Sequence, residues 1–194
     1  MLLVTIQKLS KPLSYLNIKH EQKFIIDFAI PTTLAAICYV LVQNSVDFNI
    51  AGDKGLIGHI NGLLQMLVGF FVASLAAVAT FQRPGMDELM QGTPPKLNDR
   101  ELTRREFISY MFGYLAFVSI ITYLFSGVVQ LSIPSMKQSL TVEMFDFWSS
   151  IGFFGYLIVI FNILVTTLLA LFFLTDRIIR SEDQDPEIEE PEIE

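Results

Sequence analysis

The sequence predicts an all-α integral membrane protein: a four-transmembrane-helix bundle with both termini cytoplasmic. Three observations carry that class. Of 194 residues, 52% are apolar and only 17% charged, against about a quarter charged in an average soluble domain. The apolar residues fall into four blocks almost free of charge, at 24–46, 56–81, 107–133 and 147–175. Each exceeds the ~20 residues that carry a helix across a ~30 Å hydrocarbon core. Finally, of the 13 lysines and arginines all but Lys54 and Lys137 precede the first block, lie between the second and third, or follow the fourth. Cytoplasmic segments hold the basic excess, so both ends and the long middle loop are expected inside. Strands are excluded by block length, and an open sheet would leave its backbone unsatisfied in lipid.

Residues 1–23 read as an interfacial segment on the cytoplasmic side. Leu2, Ile6, Leu9, Leu13 and Leu16 recur at helical spacing with Lys8 and Lys11 between them, while Pro12 interrupts a continuous helix. No charged n-region or small-residue cleavage site marks a leader here. In the first span, "DFAIPTT" places Asp27 four residues before Pro31. An acid in a first helical turn suits the dipole, and the same position also suits an ionisable gate.

Residues 24–180 form the transmembrane domain, with a cytoplasmic loop at 82–106. At 100° per residue, Gly58, Gly62, Gln65, Gly69, Ala73, Ala76 and Thr80 share one stripe of the second span, opposite Leu64, Leu67, Phe71 and Val78. Comparable stripes join Ser109, Gly113, Ala116, Tyr123, Gly127 and Gln130, then Gly152, Gly155, Asn162, Thr166 and Ala170. Small residues let helices approach closely in lipid. Gly62, Gln65, Gly69, Ala73, Gly113, Gly155 and Asn162 are therefore the expected inner faces, packing the helices on one another or on further copies. A pore lined by Gln65 and Asn162 is the sharper alternative to amides that bond across helices. Against it, no acid or base lies deep in a span, where ion pathways usually hold one. The outer side is expected to hold loops at 47–55 and 134–146, with Trp148 as an interfacial anchor.

The middle loop, "QRPGMDELMQGTPPKLNDRELTRREF", has turns at Arg83-Pro84-Gly85 and Thr93-Pro94-Pro95, with one helical turn expected at 86–90. Asn98 with Glu101 and Thr103 with Glu106 both show capping-box spacing. A helix starting near Asp99 would raise Arg100, Glu101, Arg104 and Arg105 as a charged collar, either touching anionic lipid or docking a partner. Residues 181–194 are expected to be a disordered acidic tail ending in two Pro-Glu-Ile-Glu units. It holds eight of the 20 acids and no base, so the rest of the chain sets 12 acids against 13 bases. The tail either solubilises or docks on a basic partner through Glu187, Ile188, Glu189, Glu192 and Ile193.

No catalytic set is visible. Cys38 is the one cysteine, and His20 and His59 flank opposite ends of spans, so no metal, cofactor or enzymatic chemistry is expected. With "RPGMDELMQG" in the loop and "LTRREFISYMFGY" entering the third span, the chain resembles the membrane subunit of the Kiwa anti-phage defence system. That resemblance implies a sensor in the bacterial inner membrane. It also implies a homo-oligomer (a tetramer) that recruits a soluble cytoplasmic DNA-binding effector and does not itself bind nucleic acid. A small ion channel or pore-forming effector is the alternative, and a small-molecule transporter is disfavoured by the absence of a deep charge.

Overall fold

The computed structural model describes residues 10–20, 23–45, 49–52, 55–80, 85–89 and 94–182, with backbone alone from 176. A 3-10 helix, Lys11–Asn17, comes first and carries Pro12 at its start, where a missing N–H costs nothing. A π turn, Ile25–Ala29, leads into α1, Ile30–Gln43. Then follow α2, Leu56–Thr80, a hairpin of β1, Lys96–Leu97, with β2, Arg100–Glu101, and two long helices, α3, Arg104–Ser139, and α4, Val142–Glu182. Four helical segments are long and apolar enough to cross a membrane: Ile25–Gln43, Leu56–Thr80, Arg104–Ser139 and Val142–Thr175.

The helices stand in an open row. Helix α2 packs on α3, α3 on α4, and α4 on α1, whereas the sequential neighbours α1 and α2 share no comparable face. Helix α3 is the most enclosed, between α2, α4 and the 3-10 helix. Phe107, Ile108, Met111, Phe112, Tyr114 and Leu115 are all buried in its first half, which also carries the 3-10 helix.

On α2 the inner face is the reverse of the one expected. Leu64, Phe71 and Val78 recur every seven residues and are buried, with the Phe71 ring tilted against Phe112 at 6.4 Å. Gly62, Gly69 and Ala73 point outward, and a Cβ added at either glycine would meet no atom within 4 Å. The physical reason is that both faces are apolar, so the period does not choose between them, and the larger residues make more dispersion contacts on the inner face. On α4 the inward part of the expected stripe is Asn162, Thr166 and Ala170, while Gly152 and Gly155 are exposed.

At one end of the row, 134–146 is helical rather than a loop. Helix α3 passes through Pro134 to Ser139, and α4 resumes at Val142 after two linking residues. Their 36 and 41 residues extend to about 54 and 62 Å, well beyond a ~30 Å core. Trp148 lies on this part of α4, exposed and stacked edgewise on Phe147.

At the opposite end Phe107 meets both Tyr15, 6.4 Å away, and Phe173, 5.5 Å away. The N-terminal segment, the middle loop and the far part of α4 therefore gather together. Here Asn98 and Asp99, with φ of 51° and 62°, form the turn of the β1–β2 hairpin instead of starting a helix. Two successive positive φ values make the twisted turn that suits a two-residue hairpin, and Asn is among the residues that tolerate it. Thr103 takes the capping role. Its hydroxyl accepts from the Glu106 N–H, and Glu106 Oε2 accepts from the Thr103 N–H at 3.1 Å. In place of the helical turn expected at 86–90, Gly85–Leu89 holds turns and a bridge from Leu89 to Thr103.

Candidate functional site: a polar latch at the basic end

The most unusual chemistry lies where the first span begins. Pro31 has no N–H, so the carbonyl four residues earlier, that of Asp27, loses its ordinary helical donor. The backbone adapts through the π turn, in which the Ile30 N–H reaches back to Ile25. The Asp27 carbonyl is met from another helix: Asn162 Nδ2 donates to it at 2.8 Å. Asn162 Oδ1 in turn accepts from the Tyr114 hydroxyl at 2.7 Å, so both ends of the amide are used. A buried amide left half-paired would lose most of the benefit of being there.

The Asp27 carboxylate is 2% exposed. Lys23, one helical turn earlier, forms an ion pair with Oδ2, and the Tyr15 hydroxyl donates to Oδ1 at 3.2 Å. The Lys23 ammonium also lies 4.3 Å from the centroid of the Tyr15 ring and 3.5 Å from the Leu16 carbonyl. Burial, with the negative charge of Asp27 adding to it, pushes the Tyr15 phenol well above its ordinary pKa and keeps it a donor. Its ring packs on Tyr114 at 4.9 Å. Tyr15, Lys23, Asp27, Tyr114 and Asn162 thus tie together the 3-10 helix, the first span, α3 and α4. The set contains no nucleophile with a base. Its chemistry is that of a clamp, and removing one partner of a buried ion pair costs about 3–5 kcal/mol.

Beside the latch, the loop is fastened to the helix row. Lys19 and Lys96 exchange backbone hydrogen bonds at 2.8 and 3.1 Å, joining the N-terminal segment to β1. Arg105 grips Asp87 with Nε at 2.7 Å and Nη2 at 3.2 Å, and Nη1 caps the end of α2 at the Val78 carbonyl, 2.8 Å away. That guanidinium holds the Asp87 carboxyl below the usual range. The expected collar is thereby split. Arg100 and Glu101 lie on β2, bonded to Glu106 and Lys96, while Arg104 and Arg105 begin α3. Arg105 is a structural fastener; Arg100 stays largely exposed.

Among the residues expected to pack, Gln65 Nε2 donates to Tyr123 OH at 2.7 Å and Asn162 enters the latch, so each amide bonds across helices. Gly113 is half-buried on α3, whereas Gly62, Gly69, Ala73 and Gly155 are exposed. Glu187, Ile188, Glu189, Glu192 and Ile193 lie outside the described residues. Sequence reasoning singled out Asp27 but missed Tyr15, Lys23 and Tyr114. Two spacings of four, Lys23 to Asp27 and Asp27 to Pro31, were the available signal. Among the described residues no group of three His, Cys, Asp or Glu side chains could hold a metal. No family model, curated protein or solved structure matches the chain.

Proposed function

We propose that the chain is a non-enzymatic sensor and scaffold of an anti-phage defence system. It sits in the bacterial inner membrane with both termini cytoplasmic, as the basic residues gathered at the latch end favour. On this reading it assembles as a homo-oligomer, a tetramer by the Kiwa resemblance, and recruits a soluble DNA-binding effector. The observation that carries it is the latch. A buried Lys23–Asp27 pair joins a segment outside the bilayer to three spans, and such charges within membrane proteins mark function more often than stability. A disturbance of the helix row is transmitted through it to the segment and hairpin on which a partner docks. Arg100, Glu101 and Arg104 supply the charged docking face, and the acidic tail is a second contact for the partner. The outward small-residue stripe of α2 offers the contact between copies.

The test pairs phage challenge with bilayer recording. Cells expressing the chain with its neighbouring gene should be protected, and protection should fall at least tenfold in plating efficiency with Asn162→Leu at equal membrane abundance. Purified chain alone should be electrically silent in planar bilayers. Discrete conductance steps without any partner would overturn the scaffold in favour of a pore.

A further inference from the structure

A cleft of about 500 Å³ opens beside the latch, lined among others by Leu16, Lys19, Lys23, Phe24, Phe28 and Lys96. Its volume falls in the range of small-molecule sites, roughly 300–1,000 Å³. The lining is divided by chemistry. Three ammonium groups come from three pieces of chain: the residue after the 3-10 helix region, the start of the first span, and β1. Among the described residues no carboxylate lines the cleft. Phe24 and Phe28, stacked at 5.9 Å, form the apolar edge and are 72% and 53% exposed. They stand at the first turns of a segment apolar enough to span the membrane.

We infer that this cleft binds the phosphate of an anionic phospholipid, with the lysines around the headgroup and the two phenylalanines against the start of the acyl chains. The level is decided by the span itself. Residues at its first turn lie where hydrocarbon gives way to headgroups, so exposed aromatic rings there are solvated by lipid. Lysine is a compact point charge suited to phosphate. Lys19 and Lys96 each have an acidic neighbour, Asp99 at 3.5 Å and Glu101 at 3.2 Å, but these pairs are exposed and exchange readily for a phosphate. Lys23 is different, because it is shared between the cleft and the buried Asp27. A bound phosphate would therefore sit against the latch without needing to open it. The site stands whether or not the chain is a sensor.

The experiment uses the full chain in nanodiscs of phosphatidylcholine carrying a spin-labelled phosphatidylglycerol, with spin-labelled phosphatidylcholine as the zwitterionic arm. The protein-immobilised fraction should favour the anionic lipid. Lys19→Gln and Lys96→Gln should each weaken that preference about fivefold, and together about thirtyfold. Lys137→Gln, near the other end of α3, should leave it unchanged. Both substituted lysines are on the surface, and an unaltered unfolding temperature will show that the fold is retained. Equal immobilisation of the two lipids, or an undiminished preference in the double variant, overturns the site. A free-phosphate arm separates the sources. Millimolar inorganic phosphate that displaces the lipid completely would make this a soluble-anion site and overturn the lipid assignment.

Discussion

Asn162 gives the sharpest test of the latch, because its two hydrogen bonds have separable causes. Asn162→Leu keeps the branched shape but removes the donor to the Asp27 carbonyl and the acceptor for the Tyr114 hydroxyl. Interhelical hydrogen bonds in membranes average about 0.6 kcal/mol and reach ~1.7. Loss of both therefore costs about 1–3 kcal/mol. The carbonyl depends on Asn162 because residue 31 is proline and brings no N–H. Pro31→Ala returns that N–H, and the turn at Ile25–Ala29 becomes free to relax into α-helix. In a Pro31→Ala background, Asn162→Leu should then cost about half as much, the part owed to Tyr114 alone.

The measurement is a double-mutant cycle on reversible unfolding in mixed micelles. Any small cavity left by removing the proline ring is present with and without Asn162→Leu in that background and cancels. The expected coupling is about 0.6–1.5 kcal/mol. An additive cycle, with Asn162→Leu equally costly in both backgrounds, would refute the claim that the amide replaces a helical donor lost to Pro31.

Two further outcomes follow from the packing and the ion pair. Phe71→Ala, at a side chain with no exposure, should destabilise the protomer by roughly 3 kcal/mol, whereas Gly69→Ile with Ala73→Ile should leave its unfolding unchanged and lower only the oligomer mass measured by light scattering; protomer unfolding by the isoleucine pair would refute the outward assignment. Lys23→Met should cost about 3–5 kcal/mol by stranding Asp27, and Lys23→Met with Asp27→Asn should recover most of it, so equal or additive losses in the same unfolding assay would show that the pair is not coupled.

The spans were legible because twenty apolar residues in a row have few other uses, and the structure keeps all four. Their inner faces were not. In water the apolar side of a helix is the buried side, but here both sides are apolar, and the period alone cannot say which meets α3. Of the two neighbours open to the glycine stripe of α2, the other helices of the chain or a further copy, the first is taken by Leu64, Phe71 and Val78 instead. At the hairpin two local rules competed for Asn98, helix capping and the left-handed turn. The contest was decided from a distance, by the pairing of Lys96 with Lys19 and the packing of Leu102, which has no exposure. Pro134 looked like a boundary, yet the helix runs through it, as membrane helices tolerate when neighbouring groups satisfy the freed backbone. For the latch, Lys23 and Asp27 sit one turn apart and could be seen, while Asn162 lies 135 residues away. Only the fold joins them.

The open order of the row gives the latch its leverage. Because α1 has no substantial face on α2, the first span is positioned by α4 along its length and by the latch at its mouth. Along α4 it buries Pro31, Ala35 and Val42, with Tyr39 against Phe154 at 5.5 Å. Those contacts are apolar and non-directional, so they can slide at little cost. The latch cannot slide. Its bonds to other elements run to one carbonyl and one carboxylate, and a shift by a helical residue would leave Asn162 and Tyr15 unpaired together. Register between α1 and α4 is therefore set at Asp27, and the 3-10 helix inherits it through Tyr15. A rearrangement of the spans that keeps the latch must carry the N-terminal segment along, and through Lys19 and Lys96 the hairpin as well.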